Sequence, residues 1–473
     1  MCGLVAVQTK DKSANEIALS MLLRLQHRGQ DGAGMSALND SGDFSDLRGL
    51  GLIQTALQNW GQLPSSNVTL AHTRYATTGL GTLHEIQPFV KQYPRFAIAH
   101  NGNIANTAEL TEKYELILQS TSDLDVISQV LVKEWKKIPS VEGFEKALEK
   151  IFSDFIGAYA VVGALSNGDL FAFRDPFGIR PLYIAKNSQA VAIASETSAF
   201  ALLGKCEIEE VPHGSWIIVK NQEIIRGSVL STLNPQELKR HCMFEMLYFS
   251  SPHSENNKKS MYTLRFLLGT ELAKEIKESN TTLDYDYVVP VPDTSRAAAI
   301  AVAEHLKTPY REYLVKNAYV PRTFILSNND KRLKTLDMKL SLIGPEIGNK
   351  NILLVDDSVV RGNTSRLMIK RLKEAGAKHV GLASTCPPIL HPCFYGIDFP
   401  DPSELVAHGR SPKEIAAALG VDDLFYLSHE GLKKALGTNE LCMACLDGKY
   451  PMKRAGVFES FTAQRRGDRG CEL

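Results

Sequence analysis

Residues Asn351–Ser365 read NILLVDDSVVRGNTS. A short apolar run ends in two adjacent acids, Asp356 and Asp357, and passes through small residues around Gly362 into the helical pattern TSRLMIKRLKEAGA (Thr364–Ala377). An unbroken apolar run of this length suits a strand buried on both faces, the condition of a parallel sheet flanked by helices. Backbone N–H groups at such a strand–loop–helix junction cradle phosphate, aided by the helix N-terminus. The pattern G-x-x-x-x-G-K-[ST] is absent, so the loop is not a Walker A loop. Two acids ahead of the loop suit two neighbouring ribose hydroxyls. A second strand, YVVPVP (Tyr287–Pro292), and a helix, SRAAAIAVAEHL (Ser295–Leu306), extend the same alternation, so the C-terminal half reads as α/β.

The N-terminal half has another texture. GLVAVQ (Gly3–Gln8) reads as a buried strand, and EIALSMLLRLQHRG (Glu16–Gly29) as a helix ending at Gly29. FAIAHNGNI (Phe96–Ile104) reads as a strand running into an Asn-Gly turn. AYAVVGALSNGDLFAFRD (Ala158–Asp175) reads as a hairpin around Asn167-Gly168. QAVAIASET and GSWIIVKNQEIIRGSV add strands. The breaker-rich stretch GSVLSTLNP (Gly227–Pro235) places a boundary between domains at 2–231 and 232–455, and the polar segment 456–473 is expected to be a loosely ordered tail.

The 473 residues carry 53 basic and 53 acidic side chains, a balance that disfavours a general nucleic-acid or membrane-surface binder. No apolar run approaches the roughly 18 residues needed to span a bilayer, and no basic region followed by an apolar stretch marks a secretory signal. Eight cysteines in such a chain suit reduced thiols, ligands or nucleophiles in a cytoplasmic protein.

Cys2 follows Met1 directly. Once the methionine is removed, one residue carries both a thiol and an α-amine of pKa about 7.7–8.0. That amine is a suitable base for its own thiol, the N-terminal-nucleophile arrangement. LQHRGQDGAG (Leu25–Gly34), HTRYATTG (His72–Gly79), AHNGNIAN (Ala99–Asn106) and TSDLD (Thr121–Asp125) follow in order. With Cys2 they resemble glutamine amidotransferases of the N-terminal-nucleophile type, which implies a four-layer αββα domain. The resemblance implies an oxyanion hole from the Asn101 side chain and the Gly102 N–H. It also implies Arg74 for the glutamine carboxylate and Asp123 for its ammonium.

The Asn351–Ser365 stretch resembles the signature of type I phosphoribosyltransferases, which bind phosphoribosyl pyrophosphate (PRPP). By that resemblance Asp356 and Asp357 hold the ribose hydroxyls, and Ser358, Arg361, Gly362, Asn363 and Thr364 cradle the 5′-phosphate. Thr294, in PVPDTSRAAA, joins Asp356 and Asp357 in facing Mg²⁺. KNAYVPRTFI and DKRLKTLDMKLS resemble a basic loop closing over PRPP, with Lys316, Arg322 and Lys339 facing pyrophosphate. Pro321 departs from the family pattern and stiffens the start of that loop.

Cys242, Cys393, Cys442 and Cys445 match the cysteines of the cluster-bearing branch of these fused enzymes. Four thiolates suit a 4Fe–4S cluster or zinc, and the resemblance favours the cluster. That branch has a short propeptide ahead of its nucleophile; here methionine removal alone is expected to mature the chain. Joined, the halves imply the glutamine-dependent PRPP amidotransferase family. Glutamine supplies ammonia, which displaces pyrophosphate to give 5-phosphoribosylamine, at the start of purine synthesis. The resemblance also implies purine nucleotides as feedback inhibitors and a homo-oligomer. Rival readings are a PRPP-sensing regulator without catalysis, disfavoured by Cys2 with its partners, and a glutaminase feeding another acceptor, disfavoured by the Asp-Asp loop.

Overall fold

The computed structural model describes residues 1–75, 82–136, 140–229, 239–279, 284–317, 338, 340–452 and 456–470. It has two compact units. The first holds residues up to Cys242 with two later segments, Phe394–Asp398 and the stretch from Pro451; the second holds Met243–Cys393 and Phe399–Tyr450. The boundary expected at 231/232 lies outside the described residues.

In the first unit the strands are β1 (Gly3–Thr9), β2 (Gly32–Leu38), β3 (Phe44–Leu50), β4 (Val68–Arg74), β5 (Phe89–Gln92), β6 (Arg95–Ile104), β7 (Gly157–Leu165), β8 (Leu170–Arg174), β9 (Tyr183–Lys186), β10 (Ala190–Ala194), β11 (Glu207–Glu210), β12 (Ser215–Lys220) and β13 (Glu223–Ser228). They form a seven-stranded sheet, β11-β9-β10-β1-β4-β2-β3, and a six-stranded sheet, β13-β12-β8-β7-β6-β5. Alternate residues of each strand face opposite sides, and this sorts the core into layers. Leu4, Ala6 and Leu70 of the first sheet meet Ala97, Ala99, Ala160 and Val162 of the second. The alanines let the two sheets approach closely. The other faces are covered by helices. Val5 and Val7 pack on Met21 and Leu22 of α1 (Ala14–Arg24). Phe96, Ile98 and Phe171 pack on Leu131 of α2 (Asp123–Trp135) and Phe144 of α3 (Val141–Asp154). The Phe144 ring meets Phe171 edge-on at 5.6 Å, and a fully buried aromatic of this kind contributes roughly 1.5–3 kcal/mol. The order helix, sheet, sheet, helix is the αββα architecture.

Two readings change. The Asn-Gly pair at 101–102 does not turn the chain, because β6 continues in register against β7, with Gly102 opposite Tyr159 and Ile104 opposite Gly157. Cross-strand pairing overrides the local turn preference. The polar tail forms a helix, Val457–Gly470. It is anchored by buried Phe458, which stacks on Phe394 with centroids 4.0 Å apart, and by buried Phe461. Two aromatics at helical spacing outweigh the polar composition.

In the second unit β14 (Tyr287–Pro290), β15 (Asn351–Asp356), β16 (His379–Ser384) and β17 (Asp423–Tyr426) form a four-stranded sheet in that order, parallel throughout. Ile352, Leu354, Val380 and Leu382 are wholly buried, as an all-parallel sheet requires. Helix α4 (Met261–Glu278) packs on α5 (Arg296–Leu306) through Gly269, where a Cβ would stand 2.2 Å from the Ala298 carbonyl oxygen. Helix α6 (Asn363–Glu374) follows β15 and buries Met368, Ile369 and Leu372.

Candidate active sites

Strand β1 is central in its sheet, hydrogen-bonded to β4 and β10 on either side, so Cys2 is delivered to a fixed place. The fully buried Arg28 donates from Nε to the Cys2 carbonyl (3.0 Å) and is ion-paired with Glu196. The Cys2 N–H donates to Asn101 Oδ1 (3.1 Å), and the thiol lies 3.8 Å from the Tyr75 carbonyl oxygen. Asn101 Nδ2 is buried and, among the described residues, has no hydrogen-bond partner. A buried unpaired amide costs free energy unless something binds it. At Gly102 an added Cβ would stand 1.9 Å from the Ala158 carbonyl oxygen, so only glycine fits between the paired strands.

Asp123 is the first residue of α2, whose Ser122 cap accepts the Leu124 N–H. Its carboxylate accepts the Ile104 N–H (3.0 Å) and lies 3.1 Å from His100 Nε2. Burial alone would raise its pKa, but the charge and hydrogen bond of His100 and the Ile104 N–H outweigh burial and hold it below the usual carboxylate range. Arg74 ends β4 and is buried. Its NH2 group donates to Glu85 Oε2 (2.9 Å) and its NH1 group to the Glu85 carbonyl. Glu85 is itself buried and accepts from Thr121 Oγ1. A lone acid in LHEIQPF carries no sequence signal, and only the folded chain shows its partners. His72 is likewise buried, and among the described residues neither of its ring nitrogens has a hydrogen-bond partner. Burial, then the charges of His100 and Arg74, push its imidazole well below the usual histidine range.

In the second unit Asp356 ends β15 and Asp357 follows; both are buried. The Asp357 N–H donates to Asp356 Oδ1 (2.9 Å). Thr294 Oγ1 and Ser358 Oγ (2.9 Å) both donate to the Asp357 carboxylate. Burial, then the neighbouring Asp357 charge, raise Asp356 well above the carboxylate range. Burial raises Asp357 against the opposing hydrogen bonds of Thr294 and Ser358 and the Arg265 charge. Two such carboxyls side by side favour a cation between them. Gly362, at φ +74°, caps α6 in the left-handed region and directs the chain into Asn363 and Thr364 at the helix start. Arg361 is turned to Glu404 (Nε to Oε2, 3.0 Å), and Lys316 to Asp293 (2.7 Å). Arg322 and Lys339 lie outside the described residues, as does Pro321.

Among the cysteines, Cys393, Cys442 and Cys445 lie around Tyr450. Burial, then these three sulfurs, push its phenol up. Cys445 is fixed by its carbonyl, which accepts from the Leu390 and His391 N–H groups (both 3.0 Å). Cys242 is buried at the end of the first unit's main span. Among the described residues no three His, Cys, Asp or Glu side chains converge on one metal position.

These sites define a class: an N-terminal-nucleophile glutamine amidotransferase joined to a phosphoribosyltransferase. Residues 72–202 match the glutamine amidotransferase domain model and residues 262–391 the phosphoribosyl transferase domain model. The chain is 37% identical to the amidophosphoribosyltransferase of Methanothermobacter thermautotrophicus, covering 98% of this chain and 97% of that protein. It is 36% identical to the Bacillus subtilis enzyme of that name, covering 95% and 94%. The solved structure of glutamine PRPP amidotransferase from B. subtilis complexed with ADP and GMP is similar at TM-score 0.83 and 34% identity, covering 96% of this chain and 98% of that one. A structure of the allosteric regulatory enzyme of purine biosynthesis is similar at TM-score 0.85 and 34% identity, covering 96% and 97%. The chain belongs to the amidophosphoribosyltransferase family, the enzymes of the first step of purine biosynthesis. Among the described residues no helix is long and apolar enough to cross a membrane.

Proposed function

We propose that this chain converts glutamine and PRPP to glutamate, 5-phosphoribosylamine and pyrophosphate through the residues named above. The observation that carries the reading is the Cys2 nitrogen held on Asn101 Oδ1 while Asn101 Nδ2 has no partner among the described residues. Met1 is buried beside Arg180, and its removal frees the Cys2 amine. The freed α-amine takes the thiol proton, and the thiolate attacks the glutamine amide carbon. Asn101 Nδ2 and the Gly102 N–H stabilise the oxyanion, a contribution of roughly 2.7–4 kcal/mol per donor. The C–N bond breaks, ammonia leaves with the proton from the amine, and water hydrolyses the thioester to glutamate. Arg74 receives the substrate carboxylate and the ionised Asp123 its ammonium.

At the second site Asp356 and Asp357 bind the ribose hydroxyls. Ser358, Arg361, Gly362, Asn363 and Thr364 cradle the 5′-phosphate, Arg361 by leaving Glu404. Ammonia attacks C1, the C1–O bond to pyrophosphate breaks, and the surplus proton on the new amine passes to the departing pyrophosphate or to water. Thr294, Asp356 and Asp357 would hold Mg²⁺, whose charge would neutralise the leaving pyrophosphate. The close carboxyl pair supports that assignment. Lys316, Arg322 and Lys339 serve the same pyrophosphate charge.

Cys242, Cys393, Cys442 and Cys445 are the ligands we assign to a structural 4Fe–4S cluster. The assignment rests on the resemblance of these four cysteines to the cluster-bearing branch of the family, and no reaction step involves the cluster. Purine nucleotides are the expected inhibitors, supported by the ADP and GMP of the similar structure. A homo-oligomer, a cytoplasmic location and domains at 2–231 and 232–455, followed by the segment 456–473, complete the reading. The test is an anaerobic assay of glutamate and pyrophosphate with iron and sulfide analysis of the same sample. Equimolar, PRPP-dependent release is expected. Glutamate release without PRPP-dependent pyrophosphate overturns the coupled reaction, and an iron-free active enzyme overturns the cluster.

A further inference from the structure

The geometry points to Glu85 as the residue that joins the two halves of the glutamine α-amino-acid recogniser into one rigid unit. This rests on the reading of Arg74 and Asp123 as the glutamine-binding pair. Arg74 and Asp123 come from different elements, the end of β4 and the start of α2. A carboxylate and an ammonium on one carbon demand that their receptors keep a fixed separation. Glu85 supplies the link. One carboxylate oxygen takes the Arg74 NH2 group at 2.9 Å, and the other takes the Thr121 hydroxyl. The Glu85 backbone carbonyl takes the Arg74 NH1 group as well, which fixes the plane of the guanidinium. Thr121 is followed by Ser122, the α2 cap, and then Asp123 itself. A continuous path of hydrogen bonds and short covalent steps therefore runs from the carboxylate receptor to the ammonium receptor.

Burial stiffens the Arg74–Glu85 part of this path. Glu85 is 3% exposed and Arg74 5% exposed, so their charge-assisted bonds are little weakened by water. Glutamine is outside this link and gains from a receptor already in position, since preorganisation cuts the cost of binding. The link has no part in breaking the amide bond, which lies at the other end of the substrate. Glu85 is accordingly a positioning residue, and its loss should act on glutamine affinity rather than on turnover.

The experiment measures glutamine KM and kcat, with ammonia-dependent product formation as control, for Glu85→Gln, Thr121→Val and Arg74→Lys in the full chain. Glu85→Gln removes the carboxylate charge that holds Arg74, while the Thr121 hydroxyl can reverse and accept from the amide NH2, so the charge-assisted Arg74 bond is what is weakened. The expected result is a rise in glutamine KM of about tenfold, from loss of one charged hydrogen bond, with kcat changed less than about twofold. Thr121 is exposed, so Thr121→Val carries little folding risk and should raise KM as well, with an effect that does not multiply with that of Glu85→Gln. Ammonia-dependent activity should be unchanged in both. A fall in KM for Glu85→Gln would show Glu85 competing with the substrate carboxylate and overturn the proposal. An unchanged KM in both variants, or a parallel loss of ammonia-dependent activity, also overturns it. If Arg74→Lys leaves KM unchanged, the underlying glutamine-binding reading fails. If Arg74→Lys raises KM while Glu85→Gln does not, the link alone fails.

Discussion

Replacing Gly102 by alanine tests the oxyanion strand with a single methyl group. The added Cβ would stand 1.9 Å from the Ala158 carbonyl oxygen and 2.8 Å from both the Ala158 carbonyl carbon and the Tyr159 Cα. All three are backbone atoms of β7, so no side chain can swing aside. Relief requires β6 to move away from β7 by about 1 Å. Asn101 and the Gly102 N–H ride on that movement, and a misplacement of about 1 Å at a reacting centre costs about 10²-fold. Loss of an oxyanion donor costs about 10²–10³-fold in kcat. The expected outcome is a fall of about 10²–10³ in glutamine-dependent kcat. Ammonia-dependent formation of phosphoribosylamine, which bypasses Cys2, should stay within about twofold of the parent. The assay follows glutamate and pyrophosphate in parallel, with ammonium chloride replacing glutamine in the second arm. Glutamine-dependent kcat within tenfold of the parent would refute the placement of the oxyanion hole. Equal loss in both arms would show that the substitution had damaged the whole chain.

Three further outcomes follow from particular residues. His72 is buried and its imidazole is held well below the histidine range, so the unfolded chain binds its proton first as pH falls; stability should therefore drop below about pH 6.5 by up to about 1.4 kcal/mol per pH unit. Urea titrations at several pH values should show a flatter profile in His72→Gln, and an unchanged slope would count against the assignment. Asp357→Asn leaves Thr294 and Ser358 facing an amide and removes charge from the acidic pair, so PRPP-dependent activity should fall at least tenfold while glutamine hydrolysis measured without PRPP is unaffected. Gly269→Ala places a methyl group 2.2 Å from the Ala298 carbonyl oxygen at the α4–α5 contact, and melting curves should show a loss of about 1–3 kcal/mol.

The amino-acid order alone specified the parallel α/β character of the second half, because apolar runs alternating with helical patterns are local properties, whereas the αββα reading of the first half came from its resemblance to N-terminal-nucleophile amidotransferases. Cys2, Asn101 with Gly102, and Asp356 with Asp357 could be singled out as candidates, because each sits in a short motif that resembles a known family's. The strand through Asn101-Gly102 was not legible, since pairing with β7, from far along the chain, overrides the turn preference of the dipeptide. The helix from Val457 was not legible either, because Phe458 finds its stacking partner at Phe394, more than sixty residues earlier. Glu85 and His72 depended wholly on the tertiary structure. An isolated acid or imidazole has no meaning until burial removes water and leaves its partners, or their absence, to set its charge and orientation.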